Sequence, residues 1–228
     1  LADVFRLDKG IGRDYFRSGA PVILSNASWG IAMAIQTAIL GHLGKTAVTA
    51  NSIATTVFQI LTVLSYGAAS ASAVLIGKTV GEGKLDKVRQ YAKTMQLLFL
   101  LLGLATGAAL FLCRDFVLSF YAITPESRSL ALAFIAVLSV TVVGTSYQMA
   151  VLTGIVRGGG DTRFVLFNDL IFMWGVVLPS SALAAFVFHL PPLMVFICLK
   201  SDQILKCAVA AVKVNRGGWI RQLTRPAE

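Results

Sequence analysis

The sequence predicts an all-α polytopic membrane protein, a six-helix transmembrane bundle, and three observations predict it. The chain is too apolar for a fold bathed in water: 56% of its 228 residues are hydrophobic, 14% are charged, and the mean hydropathy is +0.76. A soluble domain carries about 25% charged and about 45–50% apolar residues. The apolar residues fall into six runs, each long enough for about 20 helical residues across about 30 Å of hydrocarbon. The basic residues sit mainly between those runs. Runs this continuous lack the alternation of a barrel strand.

Residues 1–20 form a basic segment with Arg6, Lys9, Arg13 and Arg17. The first span, 21–41, places Asn26, Gly30, Met33 and Thr37 on one arc, with Gln36 at its edge. The second, 47–77, is the most patterned. Its Asn51, Thr55, Gln59, Thr62 and Tyr66 share an arc of roughly 80° at about 100° per residue, so one face is polar through much of the membrane depth. The third, 91–113, contains Gly103 and Gly107 at the GxxxG spacing of closely packed helices. The fourth, 130–154, aligns Thr141, Thr145 and Gln148. The fifth, 164–188, has one charge, Asp169. The sixth, 191–212, holds Lys200, Asp202 and Lys206, and a basic tail occupies 213–228. The expected organisation is therefore a cytoplasmic basic pre-helix segment (1–20), a transmembrane lobe (21–212) and a cytoplasmic tail (213–228). Stripes of Asn, Gln, Thr and Tyr serve either helix packing or a wet cavity, and the spacing is compatible with both.

Lys and Arg are distributed with a strong side bias. Fifteen fall in segments on one side: the pre-helix segment, the 78–93 turn, the 157–163 loop and the tail. Three, Lys45, Arg114 and Arg128, fall on the other. The positive-inside rule then places both termini in the cytoplasm, as an even number of spans also requires. The net charge of +9 is read as loops facing anionic lipid, not nucleic acid.

Asp169 is the expensive residue. A carboxylate at the centre of a membrane helix costs about 2.5–3.5 kcal/mol on insertion scales, so it is expected to be either paired or used. Lys206 lies about as far from the cytoplasmic end of the sixth span as Asp169 does from that of the fifth. The two are expected either to form a structural ion pair or to leave Asp169 free to bind a cation or substrate. Asp202 competes for Lys206 at the i,i+4 spacing, and Lys200 either snorkels or pairs with Asp202.

Other motifs carry no chemistry. The stretch GKTVGEGK at 77–84 lacks phosphate-loop spacing, and Leu85 stands where Ser or Thr is needed. Arg157-Gly-Gly-Gly-Asp-Thr162 reads as a helix end and tight turn, with Asp161 or Thr162 capping the next helix. Cys113, Cys198 and Cys207 are isolated, without redox or metal spacing. His42 and His189 stand singly, and no nucleophile–base pair is evident, so an enzyme is not expected. No secretory leader is evident, and the chain is expected to be a fragment or one half of something longer.

With these pieces in order, the chain resembles the multidrug and toxic compound extrusion (MATE) family, specifically its C-terminal six-helix lobe. The resemblance rests on Pro21 after a basic segment, ILGHLGKTAVTANSIA at 39–54, VLIGKTVGEGK at 74–84 and VRGGGDT at 156–162. Trp174, Leu178 and Pro179 follow, and the tail is basic with Trp219. It implies a secondary active antiporter that exports cationic or amphipathic small molecules in exchange for Na⁺ or H⁺. It implies no cofactor beyond that coupling ion. It also implies twelve helices in two lobes, with an N-terminal six-helix lobe missing from this chain, in a bacterial plasma membrane. Parallel repeats of this kind bind substrate between lobes and alternate access by rocking.

The chain departs from the family in one respect. Many members carry a carboxylate early in the lobe's first helix, near Asn26, whereas no Asp or Glu occurs here between Asp14 and Glu82. Asn26 offers a carbonyl oxygen but exchanges no proton. Ion coupling in this lobe then falls to Asp169, as an Na⁺ ligand or a proton carrier. Asn26, Gln36, Asn51, Gln59 and Gln148 are expected to line the cavity, with Trp174 offering an aromatic face to a cation. The rivals are a lipid-linked saccharide flippase of the same superfamily and a non-transporting membrane scaffold or truncated half. Only Lys200 and Lys206 lie within the spans, which disfavours the flippase.

Overall fold

The computed structural model describes residues 9–220, with side chains from residue 19 onward. The basic residues Arg6, Lys9, Arg13, Arg17, Arg221 and Arg225 have side chains outside the described set. The chain forms helices α1 (Lys9–His42), α2 (Lys45–Gly81), α3 (Leu85–Leu118), α4 (Pro125–Arg157), α5 (Thr162–Val187), α6 (Pro192–Lys200) and α7 (Asp202–Asn215). No strand occurs among the described residues; one isolated bridge joins Gly160 to Ile220. The architecture is the expected all-α polytopic membrane bundle.

Three buried clusters show that the long helices cross the full depth of the bundle. Ala50, Ile53, Leu118, Ala131, Phe134 and Phe196 pack together at one end. Ile76, Val88, Val156, Val165, Val214 and Trp219 pack at the other. Each of α2, α3 and α4 therefore starts in one cluster and finishes in the other. The third cluster joins the C-terminal half of α1 to α5 and α6 through residues such as Leu40, Val177 and Leu199.

Five helices are long and apolar enough to cross a membrane: Gly19–His42 within α1, and α2, α3, α4 and α5. The sixth expected span is two helices that together run the same depth, from Phe196 in the first cluster to Val214 in the second. The break lies at Ser201. Its backbone stays helical, but its hydroxyl donates to the Cys198 carbonyl at 2.8 Å, and its N–H bonds that same carbonyl three residues back. A side chain inserted into the backbone ladder is a standard cause of a helix break.

Prolines and glycines shape the remainder. Pro21, expected at the start of a span, lies inside α1, which already runs from Lys9. In α5, Pro179 has no N–H for the Gly175 carbonyl, and the flanking stretches Ile171–Val177 and Leu183–Val187 take the wider π-type ladder. Gly103 and Gly107 bring α3 against α4: a Cβ at Gly103 would stand 3.0 Å from the Val143 backbone, and one at Gly107 would collide with the Ser139 carbonyl. Ser65 and Ser146 share a hydrogen bond of 3.3 Å where α2 meets α4.

Candidate functional site

Four helices each contribute one polar side chain to a point where none could be left alone in an apolar interior. Ser25 comes from α1, Arg157 from the last turn of α4, Asp169 from α5 and Lys206 from α7. Ser25 donates its hydroxyl to Asp169 Oδ2 at 2.7 Å, and Arg157 Nη2 donates to Ser25 Oγ at 3.2 Å. Arg157 also stands 3.8 Å from Asp169 Oδ2. Lys206 Nζ donates to Asp169 Oδ1 at 3.2 Å and pairs with Asp202 Oδ2 at 3.3 Å. Asp202 Oδ1 accepts from Gln203 Nε2 at 3.1 Å. Gln203 Oε1 in turn accepts from Thr145 at 2.9 Å and from the Gln148 amide. One polar chain thus runs from Arg157 to the fourth helix's Thr145 and Gln148.

The chain borders an open cavity of about 620 Å³ walled by all of these helices and by α2. Asp169 keeps 30% of its side chain exposed, whereas Lys206 keeps 6% and Asp202 3%. Asp169 is therefore at once paired and accessible, where the sequence left these as alternatives. A smaller cavity of about 320 Å³ adjoins it, sharing Gln36, Thr55, Gln59 and Lys200 as walls.

The expected site residues divide as follows. Asn26, Gln36, Gln59 and Gln148 line the large cavity, and Gln36 donates its amide to Met173 Sδ at 3.3 Å. Asn51 lines the smaller cavity, its carbonyl oxygen accepting from Thr55 at 3.3 Å. Thr62 leaves the polar stripe for packing: it is fully buried and bonds the Phe58 carbonyl at 2.8 Å. Trp174 stands outside both cavity walls, with its indole N–H on Ser28 Oγ at 2.7 Å. It lies in the π-type stretch Ile171–Val177, five residues beyond Asp169, and lines neither cavity. Lys200 pairs with no carboxylate among the described residues; its Nζ lies 5.5 Å from the Phe196 ring centre.

Sequence reasoning missed Arg157, Ser25 and Gln203. The three glycines that follow Arg157 point to a loop, yet its side chain turns inward and becomes a third cation on the cavity wall. Asp161 also departs from expectation. It occupies the N-cap position of α5 but makes no capping bond, and its carboxylate pairs with Lys213 at 2.8 Å. As an Na⁺ site, Asp169 is poorly placed in this state, because each of its oxygens already carries a donor. No cluster of three or more His, Cys, Asp or Glu occurs among the described residues.

The family model described as MatE matches residues 21–183. The chain is 28% identical over 170 residues to a probable multidrug resistance protein NorM of Xanthomonas axonopodis pv. citri (strain 306), covering 74% of this chain and 37% of that protein. It is 24% identical over 176 residues to the multidrug resistance protein MdtK of Yersinia pseudotuberculosis serotype O:1b (strain IP 31758), covering 77% of this chain and 38% of the other. The chain thus spans well under half the length of these curated relatives. An outward-facing multidrug resistance MATE family transporter of the MOP superfamily superposes with a TM-score of 0.82 at 15% identity. That match covers 91% of this chain and 46% of the other. A MOP superfamily transporter from Pyrococcus furiosus Vc1, described as having a binding pocket of reverse polarity, matches equally well, at a TM-score of 0.82 and 15% identity over 91% of this chain and 46% of its own. These likenesses show the fold.

Proposed function

The chain belongs to the MatE family, and from that premise we propose that it supplies one lobe of a secondary active antiporter that exports amphipathic small molecules, cationic ones among them. The single observation behind this reading is the position of Asp169, a half-buried carboxylate on the wall of a large cavity, tied to three other helices through Ser25, Arg157 and Lys206. The second lobe, of similar size, completes the substrate site, and both termini lie in the cytoplasm of a bacterial cell. The lengths of the multidrug resistance relatives and the basic-residue bias support that arrangement.

Of the two coupling ions the resemblance implies, we read H⁺ for this lobe, because both Asp169 oxygens already carry donors and leave no free oxygen for Na⁺. A proton on Asp169 removes the charge that holds Lys206 and Arg157. Lys206 keeps Asp202 and Arg157 keeps Ser25, so neither cation is stranded. The tie between α1, α4, α5 and α7 weakens, which favours a second packing of the lobe. The cavity also becomes more positive by one charge, which drives a cationic substrate out. By linkage, a cation bound in the cavity opposes protonation to the same extent, and antiport requires that reciprocity.

In proteoliposomes of the full-length protein under a pH gradient, Asp169→Asn is expected to abolish gradient-driven ethidium export while leaving expression intact. Undiminished export by that variant would remove Asp169 from the mechanism.

The flippase reading gains one observation, the third cavity cation Arg157, and predicts movement of a lipid-linked saccharide across liposomes in place of ethidium export. The scaffold reading expects Asp169 locked to Lys206. The contact is present, but a locked pair in this protein looks different: Asp161, bound to Lys213, keeps only 1% of its side chain exposed.

A further inference from the structure

Five charged side chains line the large cavity: Arg157, Asp169, Lys200, Asp202 and Lys206. Asp169 is shared by Arg157 and Lys206, and Asp202 is held by Lys206 and Gln203. All four carboxylate oxygens therefore have donors. Lys200 is left over. Among the described residues its Nζ forms no hydrogen bond and no ion pair; it feels Asp202 only through space, and it lies 5.5 Å from the Phe196 ring centre, near the outer limit of a cation–π interaction. Lys200 does not sit at the end of the last span, the position from which a lysine snorkels to the interface. It ends α6 at the Ser201 break, midway along the last span, and lines both cavities. Gln36 and Gln59 line both cavities too, and Gln36 spends its amide N–H on a thioether, a weak acceptor.

We propose that the junction of the two cavities is an anion subsite, in which Lys200 supplies the charge and Gln36 and Gln59 supply amide donors for the carboxylate or phosphate oxygens of an amphipathic ligand. This deepens the transport reading and rests on the cavity being its substrate site. The net formal charge of the lining, three cations against two carboxylates, suits a ligand with one negative group. A carboxylate or phosphate at Lys200 completes the only cavity cation that the protein leaves without an oxygen partner among the described residues. The same chemistry arrives either as a free amphipathic acid or as the headgroup of an anionic lipid.

The test is equilibrium binding to the full-length protein in phosphatidylcholine nanodiscs, with no ion gradient, using 2-naphthoate and its neutral amide 2-naphthamide. Naphthoate is expected to bind about tenfold more tightly than naphthamide, the size of one charge-assisted hydrogen bond. Lys200→Gln should erase that difference without changing naphthamide affinity, and Lys200→Arg should restore it. Unchanged naphthamide binding reports that the variants are folded. Equal affinities for naphthoate and naphthamide in the unaltered protein, or equal losses of both in Lys200→Gln, would overturn the subsite. Phosphatidylglycerol nanodiscs separate the sources. If they weaken naphthoate binding only when Lys200 is present, the natural occupant is a lipid headgroup; if they leave it unchanged, it is a free acid. Export lost in Asp169→Asn is a separate readout, so failure of the transport reading and failure of the subsite are distinguishable.

Discussion

At the scale of single residues, two aspartates set the contrast between holding the fold and serving the cavity. Asp161 is 1% exposed and bonded to Lys213 at 2.8 Å, with the same ammonium 4.4 Å from the Phe164 ring centre. Asp161→Asn leaves Lys213, which is 22% exposed and still bonded to the Gly218 carbonyl, so the loss is that of one charge-assisted hydrogen bond at an enclosed carboxyl, about 1.5–3 kcal/mol. Asp169, at 30% exposure, is reached by water from the cavity, and its ion pairs are worth about 1 kcal/mol or less after screening. Asp161→Asn is therefore expected to lower the melting temperature clearly while leaving residual export proportional to folded protein. Asp169→Asn should do the reverse. Thermal unfolding and export, measured on the same preparations, separate the two; parallel losses in both variants would show that Asp169 too is only structural. Lys206 bridges the classes. Lys206→Met strands Asp202, which is 3% exposed, so it should destabilise more than Asp169→Asn, and adding Asp202→Asn should recover part of the loss.

At the scale of elements, the turn between α4 and α5 shows what one-dimensional pattern conveys and what it conceals. Three consecutive glycines are legible as a turn, and Gly160, at φ +94°, does need the left-handed region. Gly159 is there for a different reason. A Cβ on it would collide with the ring of Trp219, which arrives from beyond α7, is fully buried, and donates its indole N–H to the Val214 carbonyl at 3.1 Å. Nothing in the local sequence couples positions sixty residues apart. Gly159→Ala is expected to destabilise by about 1–3 kcal/mol through overpacking. In a Trp219→Ala background, the same change should cost far less. A double-mutant cycle by thermal unfolding reads the coupling directly, and additive losses would show that the contact carries no energy. The Ser201 break was hidden for a similar reason: hydropathy sums side chains and is blind to a hydroxyl that takes a backbone carbonyl of its own helix. The Gly103/Gly107 pair, by contrast, was legible because small residues one turn apart point to a single close neighbour, here α4.

At the scale of the whole molecule, the spans and their order were legible because apolar length, summed along the chain, sets the crossings; the basic residues give the sidedness only as an expectation. The convergence of Arg157 on Asp169 was not, because it depends on where the end of α4 comes to rest against α5. Arg157's inward turn removes one cation from the basic loops, yet the side bias persists, since Lys78, Lys84, Lys87, Arg89, Lys93, Arg163 and Lys213 remain against Lys45, Arg114 and Arg128. The two end clusters give that bias a geometric counterpart. Val88 of α3 packs at the end that holds Trp219, and Leu118 packs at the opposite end, so the turns flanking α3 must open on opposite faces of a bilayer. Lys84 and Ala122 mark those turns, and both are exposed. In a full-length background with Cys113, Cys198 and Cys207 replaced by Ala, a membrane-impermeant maleimide added to intact cells should label Ala122→Cys and spare Lys84→Cys until the membrane is opened. If both label from outside, α3 does not cross the bilayer. If only Lys84→Cys labels, the lobe is inverted, and the proton that reaches Asp169 would enter from the opposite compartment.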